Sequence, residues 1–144
     1  MNKSLTVVMD ADGIIAQHNP DDVHHKEASR ITKYLSENNA QVIYPATAIV
    51  EAATHIQRVL NSTVSAYGTT QVLVGSGVQV AEVGREIIKG ALNYFSPTTS
   101  KKNTLFDCVV MAVADENKAN AIFSFDKIYE KNGFKLASEL SPSR

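Results

Sequence analysis

The chain has 144 residues, 44% of them hydrophobic, enough for one domain spanning 1–144 to fill a core without disulfides. Fourteen basic side chains against fifteen acidic ones leave a formal charge of -1, which excludes a whole-molecule field that gathers nucleic acid but not a local basic rim. A single cysteine, Cys108, excludes an internal disulfide and a thiolate zinc cluster, and its setting "LFDCVVMAVA" suits buried packing.

"MNKSLTVV" has too short an apolar core for a signal peptide and no run reaches the length of a membrane span, so a cytoplasmic location and no membrane partner are expected. Leu5 to Met9 is a short apolar run closed by "DADG", which reads as a buried central strand followed by a turn. "NPDDVHHKEASRITKYLSENN" opens on Pro20 and two aspartates and carries Ala28, Ile31, Tyr34 and Leu35 at helical spacing. It predicts a helix with acid at its positive end and a stop at Asn38 and Asn39. "AQVIYP" predicts a second strand, and "ATAIVEAATHIQRVLN" a second helix with Ile49, Ala52, Ala53, Ile56 and Leu60 along one stripe.

"STVSAYGTTQVLVGSGVQV" mixes β-branched residues with three glycines and fits either a short helix or an extended segment with turns. "AEVGREIIKGALNYF" is helical in pattern, and "SPTTSKKN" is a loop. "TLFDCVVMAVADENKA" predicts a third clear helix, "NAIFSFD" a strand, "KIYEKN" a short helix and "FKLASEL" a final edge strand. Strands alternating with helices call for an α/β fold with a parallel sheet covered on both faces, whose working edge is the carboxyl end of the strands.

Four acids fall at those stations. Asp10 closes the first strand, Glu51 lies about two turns past the second, Asp107 is near the start of the third clear helix, and Asp126 ends "AIFSFD". Each has a local use as well. Asp107 suits a capping box with Thr104, Asp126 suits a helix cap, Glu51 suits a solvent-facing position and Asp10 a turn. Taken together in one cleft, such acids repel one another, and a hard divalent cation with oxygen ligands is the economical compensation. Asp12 fits a direct ligand, a holder of a ligand water or an Asx-turn residue before Gly13. Asp115 and Glu116 lie about 12 Å further along the helix than Asp107 and read as surface. His18, His24 and His25 lack a matching distal set and read as the surface of a helix start. His55, four residues after Glu51, is placed to touch substrate or to pair with that glutamate.

With these residues in place, the chain resembles the PIN domains, in particular the single-domain ribonuclease toxins of the VapC type. The resemblance runs nearly the full length through "VVMDADGII", "YPATAIVEAATH", "TLFDCVVMAVA" and "AIFSFDKIYEKNGFK". It implies a three-layer α/β/α domain with a central parallel sheet, in which Asp10, Glu51, Asp107 and Asp126 take the places of the family's acidic quartet. Asp10, Asp107 and Asp126 would be metal ligands and Glu51 a ligand or water-positioning acid. Ser124 matches a position often held by Ser or Thr. The implied cofactor is Mg or Mn, one or two ions per site, and the implied activity is hydrolysis of RNA phosphodiester bonds.

The same resemblance implies a homodimer and, for a toxin, an antitoxin protein, with the stripe of Ile31, Tyr34 and Leu35 available to an interface or to the core. Lys101, Lys102, Lys127 and Lys131 are the basic residues available to an RNA backbone. Two departures stand out: Asp12 adds a negative charge where the family more often has Ser, Thr or Asn, and Tyr67 to Asn103 fits the family's spacing loosely.

"MDADGI" also resembles the opening motif of haloacid-dehalogenase-type phosphotransferases. There Asp10 would be the nucleophile and Asp12 the acid and base, with Thr47 an imperfect match to a second-strand Ser or Thr. That reading leaves Glu51 and Asp107 without roles. A noncatalytic interaction domain that keeps the fold is the third possibility.

Overall fold

The computed structural model describes residues 4–141. Its centre is a four-stranded, all-parallel sheet in the order β3-β2-β1-β4, built from β1 (Thr6–Met9), β2 (Gln41–Pro45), β3 (Gln79–Ala81) and β4 (Ala121–Phe123). The helices are α1 (Ala11–His18), α2 (His25–Glu37), α3 (Ala46–Arg58), α4 (Thr63–Leu73), α5 (Arg85–Ala91), α6 (Leu105–Glu116) and α7 (Ile128–Lys131).

The period-two alternation of a strand sorts the central residues onto two cores. Val7 and Met9 of β1, with Ala121 and Phe123 of β4, face the residues of α1 to α4, including Ile14, Ile31, Ile49 and Ile56. Val8, Ile43 and Ile122 face the other way, onto α5, α6 and Tyr129 of α7. This is the α/β/α arrangement expected, and covering both faces explains why the central strands are apolar throughout. The chain adds strands outward from β1 to β2 to β3 and then crosses back to place β4 on the far side of β1. The order in which strands are added therefore reverses between β1 and β4, where a parallel sheet opens a crevice at its carboxyl edge.

Several expectations are corrected. "DADG" does not turn; it starts α1, with the Asp10 side chain accepting from Ala11 N at 2.7 Å as its N-cap. Gly13 is there for closeness, since a Cβ on it would stand 2.6 Å from the Phe123 carbonyl and 2.8 Å from Met9 Sδ. The helix predicted from Pro20 starts at His25, because Asn19 and Asp22 side chains accept from Asp21 N (3.1 Å) and His24 N (2.8 Å) and hold two turns first. "FKLASEL" is not an edge strand. It touches β4 through one bridge at Leu136 and then rounds the sheet in a 3-10 turn, with Leu136 in one core and Ala137 in the other.

The ambiguous middle holds both structures proposed for it, α4 capped by Ser62 and then β3, joined through Gly77 at φ +89. The stripe of Ile31 and Leu35 is buried with Tyr34 packed against it, so it is core rather than interface. Cys108 is fully buried, in keeping with a packing role. Among the described residues no helix is long and apolar enough to cross a membrane.

Candidate functional site

The carboxyl edge of the sheet gathers the acids from separate parts of the chain. Asp10 follows β1 directly and is 5% exposed, whereas Asp12, Glu51 and Asp107 are half-buried and Asp126 is exposed. Four of them feel the negative charge of neighbours: Asp10 that of Asp12 and Asp107, Glu51 that of Asp107 and Asp12, and both Asp12 and Asp107 that of Asp126. Asp12 and Glu51 also line one cavity of about 330 Å³ with His24 and His55.

Two hydroxyls tie this group together. Tyr129, fully buried, places its OH 2.7 Å from Asp10 Oδ2 and 3.4 Å from Asp107 Oδ1. A phenol has one proton, so the short contact marks Asp10 as its acceptor. Ser124 Oγ lies 3.2 Å from Asp10 Oδ2 and 3.0 Å from Asp12 Oδ2, and accepts from Asp126 N at 3.0 Å. Phe125 N donates to Asp12 Oδ2 at 2.8 Å. Asp12 Oδ1, also buried, has no hydrogen-bond partner. The local uses read from sequence are present as well. Thr104 and Asp107 form a reciprocal capping box on α6, and Asp126 Oδ1 accepts from Ile128 N at 2.9 Å at the start of α7.

Burial is the largest cause of the shift in each of these groups, and the charge of neighbouring acids adds to it. Asp10 is pushed from its ordinary 3.8 up to about 8 and Glu51 from 4.5 up to about 7; Asp12 and Asp107 are raised too, and burial beside the acids drives the Tyr129 phenol well above 10. An acid whose pKa is raised by folding holds its proton where the unfolded chain has released it, so stability is lost as pH rises through that window. In chelator, the midpoint of thermal unfolding is expected to fall between 3.8 and about 8 for Asp10 and between 4.5 and about 7 for Glu51. A midpoint that rises through that range would contradict the upward shifts of these two acids.

As the side chains stand, no group of three or more His, Cys, Asp or Glu among the described residues is arranged to hold a metal ion. The donor chemistry nonetheless fits a hard divalent cation: five carboxylates, one with an unpartnered buried oxygen, and no thiolate. In the present rotamers both Asp10 oxygens and one Asp107 oxygen are committed to protein donors.

Lys101, Lys102, Lys127 and Lys131 are all exposed. Two neighbours of these acids are not singled out by the sequence. Tyr129 sits in a four-residue helix too short to show a burial period. Arg58 lines a cavity of about 450 Å³ with Glu51 and His55, a grouping already present in the 51, 55, 58 helical spacing. Among the histidines, His24 stacks on Phe125 and the His25 ring meets the Ala16 carbonyl at 2.6 Å, so both do more than face solvent.

Comparison of the sequence with protein-family models gives no match, and comparison with curated proteins gives none. Among solved structures, the chain is similar to VapC20 of Mycobacterium tuberculosis, described as a sarcin-ricin loop cleaving toxin. The TM-score is 0.78 at 17% identity, with 89% of this chain and 95% of that one covered. The chain thus has a PIN-like three-layer fold, with its acids at the carboxyl edge of the parallel sheet.

Proposed function

We propose that the chain is a metal-dependent endoribonuclease that hydrolyses RNA phosphodiester bonds. The observation that carries this reading is the meeting of Asp10, Asp12, Glu51, Asp107 and Asp126 at one sheet edge, on a fold shared with a toxin described as cleaving the sarcin-ricin loop. Five acids alone repel an anionic backbone. Mg or Mn, one or two ions per site, would supply the positive charge that admits the phosphodiester and would acidify an attacking water.

Asp10, Asp107 and Asp126 are the proposed ligands, and Glu51 a ligand or the acid that positions water, since its carboxylate makes no hydrogen bond among the described residues and borders the cavity. Asp12 keeps one unpartnered oxygen for the same purpose. Tyr129 and Ser124 act through the acids by fixing Asp10 against Asp107 and Asp12. Arg58, with the exposed Lys101, Lys102, Lys127 and Lys131, is available to RNA phosphates.

Removing the Tyr129 hydroxyl leaves a buried carboxylate short of a donor. Tyr129→Phe is therefore expected to weaken Mn binding by roughly 10- to 100-fold, as loss of a group that orients a metal ligand does. Unchanged Mn affinity in a titration would remove Tyr129 from the site.

We further propose a cytoplasmic toxin that works as a homodimer with an antitoxin protein. Exposed Val50, Val59 and Phe106 flank the cavity beside Glu51, which suits a partner segment whose apolar side chains seat there while an Arg or Lys reaches the acids. The phosphotransferase reading has less support, because it leaves Glu51 and Asp107 without roles although the charges of both act within the same group of acids as Asp10. The test is a gel of structured and unstructured RNAs incubated with the protein in Mg, in Mn and in chelator. Discrete cuts that require the metal are expected; no cuts, or the same cuts in chelator, would overturn the proposal.

A further inference from the structure

Beside the acids stands a stack of rings that no role given above uses. The His24 ring lies 4.2 Å from that of Phe125 with only 4° between their planes, and Phe125 in turn meets the edge of Phe123 at 6.2 Å and 82°. The stack is fixed at both ends. Phe125 lies between Ser124 and Asp126 and donates its N–H to Asp12 at 2.8 Å. His24 is held from the other side by its own N–H to Asp22 Oδ1 at 2.8 Å and by the neighbouring His25 ring against the Ala16 carbonyl.

Despite this anchoring His24 is exposed, and the ring face turned away from Phe125 has no aromatic partner among the described residues. His24 lines the cavity of about 330 Å³ that Asp12, Glu51 and His55 also line, a volume at the lower end of the roughly 300–1,000 Å³ usual for small-molecule pockets.

We propose that the free face of His24 seats an unpaired RNA base next to the bond to be cut, extending the Phe125–His24 stack by one ring. The inference rests on the ribonuclease reading for the identity of the ligand, and it deepens it by making the substrate single-stranded at that nucleotide. Three features favour a base over other occupants. A planar ring already ordered by a stack below it costs little further entropy when another ring is laid on it. Stacking accepts every base, since each has a π-face. The carboxylates of Asp12 and Glu51 on the same cavity repel a free anion, whereas a neutral base meets no such repulsion. A paired duplex keeps both faces of its bases covered and offers none to His24.

The test uses the full chain with magnesium and single-stranded RNA oligonucleotides that carry 2-aminopurine at successive positions, because that fluorophore is quenched when stacked. With the wild type, quenching is expected at one position. His24→Ala is expected to lose that quenching and to bind roughly fivefold to a hundredfold more weakly. His24→Phe, which keeps a flat ring, should retain both, and the same sequence as a duplex should bind like His24→Ala. Absence of quenching at every position, equal binding by His24→Ala and wild type, or equal losses in His24→Phe and His24→Ala would each overturn the proposal. Cleavage is read on the same samples. Metal-dependent cuts with a His24→Ala variant that binds normally would sink the base seat and leave the nuclease; His24-dependent quenching without any cutting would keep the base seat and remove the nuclease.

Discussion

Asp107→Asn is expected to lower metal-dependent RNA cleavage by at least about 100-fold while leaving the fold intact. Asp107 faces Asp10, Glu51 and Asp126 through charge and meets the Tyr129 hydroxyl, so its removal takes one anionic ligand from the centre of the group. The amide retains an oxygen to accept from Thr104 N, so the start of α6 survives. Folding itself should be unharmed or improved in chelator, because one charge is gone from a crowded, half-buried cluster. The combination is diagnostic: a variant that melts no lower than wild type yet cuts far more slowly has lost chemistry rather than structure. Equal cutting by the variant would mean either that Asp107 is only a helix cap or that the activity belongs to a contaminant.

The second large effect is structural. Gly13→Ala should destabilise the protein by about 3 kcal/mol, the upper part of the range for forcing extra volume into a packed interior. At this chain length that corresponds to a drop of roughly 10 °C in the unfolding midpoint. The added methyl would stand 2.6 Å from the Phe123 carbonyl oxygen, 2.8 Å from Met9 Sδ and 2.9 Å from Phe123 Cδ1, and the first of these is backbone at the end of β4. Relief requires α1 to lift away from β4, which also parts Asp12 from its bonds to Ser124 and Phe125 N. A midpoint within a few degrees of wild type, read by differential scanning calorimetry, would show that α1 has room the packing does not indicate.

These two residues also show what could be read from the chain and what could not. Asp10, Asp107 and Asp126 are legible because each interrupts or opens a strongly apolar segment, and an acid there is conspicuous whatever it does. Glu51 is legible through the clear helical stripe that follows β2. Parallel pairing of β1 with β4 then brings these distant acids to one edge, as the alternation of strands and helices implies.

The helical setting of Gly13 is not legible because Gly after Asp is a strong turn signal, while an eight-residue helix carries too few turns to outweigh it. α4 was ambiguous for a related reason, since its buried stripe is only Ala66, Thr69 and Leu73, too small and polar to stand out. The contact of Tyr129 with Asp10 joins residues 119 apart in sequence, and nothing local in "KIYEKN" announces it. The His24–Phe125 stack is likewise a product of tertiary packing alone.

The claim on which the rest depends is that the carboxylate edge binds a divalent cation. Titration calorimetry of Mn into the wild type and into Asp107→Asn, repeated on both sides of the raised Asp10 and Glu51 pKa values, tests it without any need for a substrate. Binding of one or two ions per chain is expected, tighter on the alkaline side where the acids are ionised and sharply weakened in the variant. An isotherm without saturable heat, or one that is the same for both proteins, would contradict a metal centre at this edge.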